Sequence, residues 1–352
     1  MAAETRRGLT LGKFAPLHRG HQLIIETALA EMDEVIVVVY DCPETIDIPL
    51  QVRAGWIREL YPERVQVLEA WDGPTEIGDT PEIMARHEAY MLELLGGVKV
   101  THFYSSEFYG EHMSAALGAV NRQVDPNRLQ VPVSGTLVRQ DPYGQRAYVA
   151  PEVYRDLIVR VAFLGAPSTG KTTLAAAMAE LERTVWMPEY GREYWERHQV
   201  DRRLTLEQLE EIAVGHLERE DLLAREARGT LFVDTNAITT YMFSCAYHGR
   251  ATARLERLAL EAASRYDLVF VCDVDIPYAD TWDRSGDADR QVFQKQIVAD
   301  LQRRKIPYML LRGTVEERAA RVREALRRFR KYRSVGEWIL PGATPSTACV
   351  VQ

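Results

Sequence analysis

The sequence predicts an α/β protein made of two doubly wound parallel-sheet domains. Three observations carry that expectation. Short β-rich apolar runs alternate with helical patterns along most of the chain, as parallel sheets with crossover helices require. The alternation breaks at the turn-rich stretch QDPYGQRAYVAP, residues 140–151, and then starts again. Each half also opens on an apolar run that leads straight into a glycine-bearing basic stretch, GKFAPLHRGH at 12–21 and GAPSTGKT at 165–172. A length of 352 residues suits two cores, since single ones seldom grow past about 250 residues.

Taken in order, the first half offers the strand GLTLG, a helix over His21–Met32, the strand VIVVVY at 35–40 and VKVTHFYSS at 98–106. The boundary falls at 150–158, giving domains 1–154 and 155–334. The second half repeats the pattern with VAFLG, a helix from Thr172, TVWMPE, a helix from Thr205, TLFVDT at 230–235, a helix near 251–264, DLVFVCD at 267–273 and YMLLRG at 308–313. Thr205 with Gln208, and Thr314 with Glu317, match the reciprocal capping box of helix N-termini. Residues 335–352 are expected to form a flexible tail, because the aperiodic end ILPGATPSTACVVQ holds several breakers.

Composition narrows the function. A formal net charge of -8 argues against general adhesion to nucleic acid, so any phosphate ligand must be held by local groups. No apolar stretch nears the roughly 20 residues a membrane helix needs, and the N-terminus carries no hydrophobic leader. A cytoplasmic protein without membrane partners is expected. The four cysteines (Cys42, Cys245, Cys272, Cys349) are widely spaced, which fits neither a zinc site nor a disulfide framework.

The stretch at 165–172 is the full G-x-x-x-x-G-K-[ST] phosphate loop between a strand and a helix. Gly165 and Gly170 let backbone amides turn inward around phosphates, with Ser168, Thr169 and Thr173 in the same wrap, and Lys171 reaches the outer phosphates of ATP. Thr172 is placed to hold Mg²⁺. Beyond the loop, Glu189 ends the TVWMP strand region and suits a general base, with Arg192 steadying phosphate; the pair could equally be an exposed ion pair. Asp234 ends TLFVD as a Mg²⁺ ligand or a helix cap. Arg284 and Arg290 suit either a closing lid or a solvated loop. The basic run Arg318–Arg333 reads chiefly as a solvated helix face.

In the first stretch, Gly12 and Gly20 allow close backbone approach, while His18 and His21 lie three apart at a helix start. Zinc is disfavoured, since the spacing is not H-E-x-x-H and no cysteine or acidic cluster completes a site. Ser134, Thr136 and Arg139 in VPVSGTLVRQ add donors suited to phosphate. Together these stretches resemble the nucleotidylyltransferase superfamily of nicotinate and nicotinamide mononucleotide adenylyltransferases, through H-x-G-H and [IV]-S-x-T-x-x-R. The resemblance implies a Rossmann-like N-terminal domain in which Gly12, Lys13, Phe14, His18 and His21 meet the ATP phosphates from one side and Ser134, Thr136 and Arg139 from the other. The mononucleotide's phosphate would then attack the α phosphorus and expel pyrophosphate.

An adenylyltransferase followed by a P-loop kinase resembles the NadR family, and four further stretches carry the likeness: IPLQVRAGWI at 48–57, SSEFYG at 105–110, EYGREY at 189–194 and VDTNAITT at 233–240. It implies nicotinamide riboside as the kinase substrate, phosphorylated on its 5′ hydroxyl with Glu189 as base, and nicotinamide mononucleotide passed on to the first domain. No helix-turn-helix precedes the first strand, so no DNA binding is expected. Tyr190, Tyr194 and Trp195 in the kinase half, and Trp56, Trp71, Phe108 and Tyr109 in the first half, are candidates for stacking on the pyridine ring or for core packing. Two other readings stand beside this one: an adenylyltransferase with an inactive or differently specific P-loop domain, and a non-catalytic sensor of ATP and NAD. The oligomeric state is left open, a homo-oligomer included.

Overall fold

The computed structural model describes residues 5–76, 78–107, 109–198, 204–277 and 287–333, the side chains of 287–289 apart. Phe108, Arg284 and the expected tail at 335–352 lie outside the described residues. The chain divides into two compact units, Met1–Arg155 and Asp156–Gln352. Both are α/β, each with a five-stranded all-parallel sheet.

The first unit runs β1 (Arg7–Gly12), α1 (Arg19–Glu31), β2 (Glu34–Tyr40), α2 (Leu50–Leu60), β3 (Val65–Ala70), α3 (Pro81–Leu95), β4 (His102–Ser105), α4 (Gly110–Leu117), β5 (Val120–Gln123) and α5 (Gly135–Gln140). Helix α6 (Pro151–Leu157) carries the chain across the division. The strand order is β3-β2-β1-β4-β5. Strand β2 is buried from Val35 to Tyr40 because helices cover both faces of a parallel sheet, which is why its sequence is apolar without alternation. Leu9 pairs with Ile36 on one side and Phe103 on the other, and these three fully or nearly buried side chains centre the core. The order reverses beside β1, so a crevice opens where the loops after β1 and β4 part.

The second unit runs β6 (Val159–Leu164), α7 (Lys171–Glu182), β7 (Trp186–Met187), α8 (Tyr190–His198), α9 (Leu206–Ala224), β8 (Thr230–Asp234), α10 (Ala237–His248), α11 (Ala253–Arg265), β9 (Leu268–Cys272), α12 (Asp287–Arg303), β10 (Met309–Leu311) and α13 (Val315–Arg328). Its order is β10-β9-β6-β8-β7. The Phe163 ring sits 6.0 Å from that of Phe232 and 5.8 Å from that of Phe270, so three neighbouring strands share one aromatic seam. Thr205 with Gln208 and Thr314 with Glu317 both form the reciprocal caps that the sequence predicts.

Helix α9 is anchored by charge. Glu220 is fully buried and accepts from Arg265 Nε at 2.8 Å, Arg160 Nη1 at 3.3 Å and Tyr266 Oη at 2.7 Å. A buried carboxylate is tolerated only with such partners, so the cluster pins the helix to β6 and to the end of α11. Arg318 departs from the solvated helix face expected of 318–333. It is 2% exposed and donates to Thr169 O at 2.6 Å and to Asp275 Oδ1 at 2.5 Å, which ties α13 to the loop after β6. Among the described residues Cys42, Cys245 and Cys272 are free, and no helix is long and apolar enough to cross a membrane.

Candidate active sites

A cleft of about 600 Å³ opens in the first unit, and Gly12, Lys13, Phe14, His18, His21, Tyr109, Ser134, Thr136 and Arg139 all line it. His18 is the N-cap of α1. Its Nδ1 accepts from Gly20 N at 3.2 Å, and His21 Nδ1 accepts from His18 N at 3.3 Å. An Nδ1 that accepts carries no proton, so in the neutral rings each Nε2 must be the N–H donor. The rings stack with centroids 3.8 Å apart. Burial, then the Arg128 charge, takes His18 down to about 4; burial, then His18 and Arg128, puts His21 well below its ordinary value. The pair therefore offers two neutral, oriented donors near pH 7. Gly20 packs closely on this pair: a Cβ there would lie 3.1 Å from His18 Cε1, so a larger residue needs the ring to give by a few tenths of an ångström.

In the same cleft Ser134 caps α5, accepting from Leu137 N, and Arg139 donates to Thr136 Oγ1 at 3.1 Å and to Ala15 O. Lys13 is paired with Glu44 at 2.6 Å. Trp56 does not line the cleft: at 1% exposure on the buried face of α2 it is core, as its spacing with Ala54 and Ile57 dictates. Trp71 is half-exposed and does not line it either. A residue missed from the sequence, Arg53, is fully buried on α2 and donates to Tyr40 O at 2.8 Å, Ile48 O at 3.0 Å and Lys13 O. It clamps the chain after β1 to the end of β2. Its only sequence signal was a charge within an otherwise apolar helical stripe.

A second cleft, of about 470 Å³, lies in the second unit at the C-terminal ends of its strands. Gly165, Ser168, Thr169, Gly170, Lys171, Thr172, Thr173, Glu189 and Arg192 line it. Gly165 has φ 142°, and a Cβ there would meet Cys272 O at 2.6 Å, so only glycine fits. Lys171 Nζ donates to Ala166 O at 3.0 Å, and Gln294 Oε1 accepts from Ala166 N at 2.8 Å. Thr172 Oγ1 donates to Asp234 Oδ2, while Asp234 Oδ1 is buried with no partner. Burial, then the Glu189 carboxylate, pushes Asp234 up to about 6. An orphaned carboxylate oxygen beside a hydroxyl fits Mg²⁺, which keeps waters and phosphate oxygens as its other ligands. Asp234 is not the cap of α10; Asn236 is, accepting from Ile238 N.

Two placements differ from expectation. Tyr190 does not line the cleft. It lies under the Arg219 guanidinium at 4.0 Å and against Gly215, because the helical turn that sends Gly191, Arg192 and Trp195 to the cleft rotates Tyr190 and Tyr194 toward α9. Arg290 is buried on α12, not on an open lid, and its guanidinium donates to Ile276 O at 3.2 Å and Val274 O at 3.4 Å. Phe243, Tyr247 and His216 line the cleft and were not foreseen.

Comparison with known proteins follows the same division. Residues 9–141 match a family model described as cytidylyltransferase-like, and residues 160–318 match one described as an AAA domain. The trifunctional NAD biosynthesis/regulator protein NadR of Salmonella typhimurium is 29% identical over 331 residues, 86% of this chain and 78% of that protein. The chain is thus similar to NadR proteins along most of its length. The NadR of Escherichia coli is 28% identical over 329 residues, with the same coverage of 86% and 78%. In fold, the chain is similar to a crystal structure of NadR in complex with NAD and AMP-PNP, at TM-score 0.53 and 24% identity over 92% of this chain and 95% of that one. A NadR structure in complex with NR gives 0.55 and 24% over 91% and 95%.

Proposed function

We propose that this chain is a NadR-type bifunctional enzyme of NAD biosynthesis that works in the cytoplasm. Its second unit phosphorylates nicotinamide riboside with ATP, and its first transfers AMP from ATP to nicotinamide mononucleotide, giving NAD and pyrophosphate. The observation that carries this reading is that each unit holds its own cleft, one lined by His18, His21, Ser134, Thr136 and Arg139, the other by the loop 165–172, Glu189 and Arg192.

In the first cleft two neutral Nε2–H donors and the Arg139 guanidinium would surround the triphosphate while the mononucleotide's phosphate attacks in line. Both reactants are phosphates, so positioning and charge neutralisation suffice without a protein nucleophile. In the second, Lys171 would leave Ala166 O for the γ phosphate, and Glu189 would take the proton of the 5′ hydroxyl as that oxygen bonds to phosphorus and ADP departs. Thr172 and Asp234 would hold Mg²⁺, whose charge offsets that of the phosphates.

The test is incubation with nicotinamide riboside, ATP and Mg²⁺, then chromatography. Mononucleotide and NAD both appear. Lys171→Ala stops riboside phosphorylation while supplied mononucleotide still becomes NAD, and His21→Ala does the reverse. Loss of both activities from either substitution in folded protein overturns the two-site assignment.

A further inference from the structure

His216 sits on α9 in the wall of the second cleft, and neither the phosphate loop nor Glu189 and Arg192 accounts for it. It is 3% exposed, and its Nε2 is buried without a hydrogen-bond partner. A buried ring nitrogen left unpaired forfeits its hydrogen bonds to water, so an isolated polar atom at a cavity wall points to a group that arrives with the ligand. Leu209 and Ile212, which precede it on the helix and also line the cleft, offer nothing polar, and one turn after it Arg219 is paired with Glu193 and Glu220 with Arg160, Arg265 and Tyr266. Burial takes His216 down to about 4, and the Glu189 carboxylate is close enough to pull it partly back. The imidazole is therefore neutral and stands near the carboxylate that meets the reacting hydroxyl. The flat side chains of the cleft, Trp195, Phe243 and Tyr247, suit the pyridine ring instead.

We infer that His216 Nε2 hydrogen-bonds a second hydroxyl of the acceptor's ribose, making it a specificity-determining contact of the phosphorylation site. The inference rests on the kinase reading above. A neutral imidazole pairs with a hydroxyl as donor or acceptor, and a site built to bond a hydroxyl rejects the analogue that lacks it.

The full chain is assayed with nicotinamide riboside, with its 2′-deoxy and 3′-deoxy analogues, and with the riboside lacking the carboxamide. Wild type should prefer the riboside over one deoxy analogue by about tenfold in kcat/KM. His216→Phe should lose about tenfold on the riboside and almost nothing on that analogue, so the preference collapses; His216→Gln, with an amide nitrogen near the place of Nε2, should restore part of it. The Phe variant should melt no lower than wild type, since it removes an unpaired polar atom, and should keep its affinity for an ATP analogue. If the Phe variant does not fold, His216→Leu supplies the same comparison. A preference unchanged in a folded variant, no preference in wild type, or a loss that tracks the carboxamide overturns the inference. A wild type that phosphorylates no riboside overturns the kinase reading instead.

Discussion

Thr172 Oγ1 donates to Asp234 Oδ2 at 2.5 Å, so the first turn of α7 is tied to the C-terminal end of β8. The bond orients the carboxylate and leaves its other oxygen unpartnered. Asp234→Asn keeps the shape and removes the charge. Riboside phosphorylation should fall about a hundredfold, with the Mg²⁺ dependence moved to higher concentration, while adenylyl transfer is unchanged. Separate assays of the two activities read both effects.

Arg53 meets three carbonyls from one guanidinium fork, which a lysine cannot do with a single nitrogen. Arg53→Lys should cost about 2–4 kcal/mol through a buried charge left partly unpaired. The expected readings are a melting temperature lower by roughly 5–10 °C in the first unit and a drop of more than tenfold in adenylyl transfer. Full activity in that variant would mean the clamp does not shape the cleft.

Acid should weaken the fold through its buried histidines, with Asp234, raised to about 6, offsetting part of the loss in the same range. His18 and His216 both stand near 4 in the folded chain, below the ordinary 6.5. The unfolded chain therefore takes up protons first, and stability is lost as pH falls from 6.5 toward 4, by up to about 1.4 kcal/mol per pH unit for each ring. Chemical denaturation across that range checks the slope. His18→Asn keeps an acceptor for Gly20 N without a titrating ring, so it should flatten the slope.

Gly165→Ala places a methyl group against Cys272 O in a backbone conformation that alanine avoids. The loop has to shift, and affinity for an ATP analogue at the second cleft should fall at least about tenfold while the first keeps its own. Titration of a Lys171→Ala chain in parallel separates the two sites.

How legible these sites are in the sequence depends on how far apart their parts lie in the chain. Strands β1, β2, β6, β8 and β9 are visible as continuous apolar runs. Strand β5, VNRQ, is exposed at every position and gives no such signal. The phosphate loop and the histidine pair are contiguous, so their spacing alone carries the chemistry. Arg53, Gln294 and Arg318 act on partners 40, 128 and 149 residues away, and nothing local to them names those partners. Trp56 and Tyr190 fail for the opposite reason: nearness to a motif in sequence brought them forward, and helix rotation turned them from the clefts.

Helix α9 carries the cleft wall at one end and the Glu220 cluster one turn further on. Its rotation and height are therefore set by Arg160 and Arg265, which never meet the ligand. A laboratory selection for altered acceptor preference should return changes at these two arginines as well as at the lining itself, since a slightly displaced helix remodels the acceptor's surroundings without altering any group that touches it.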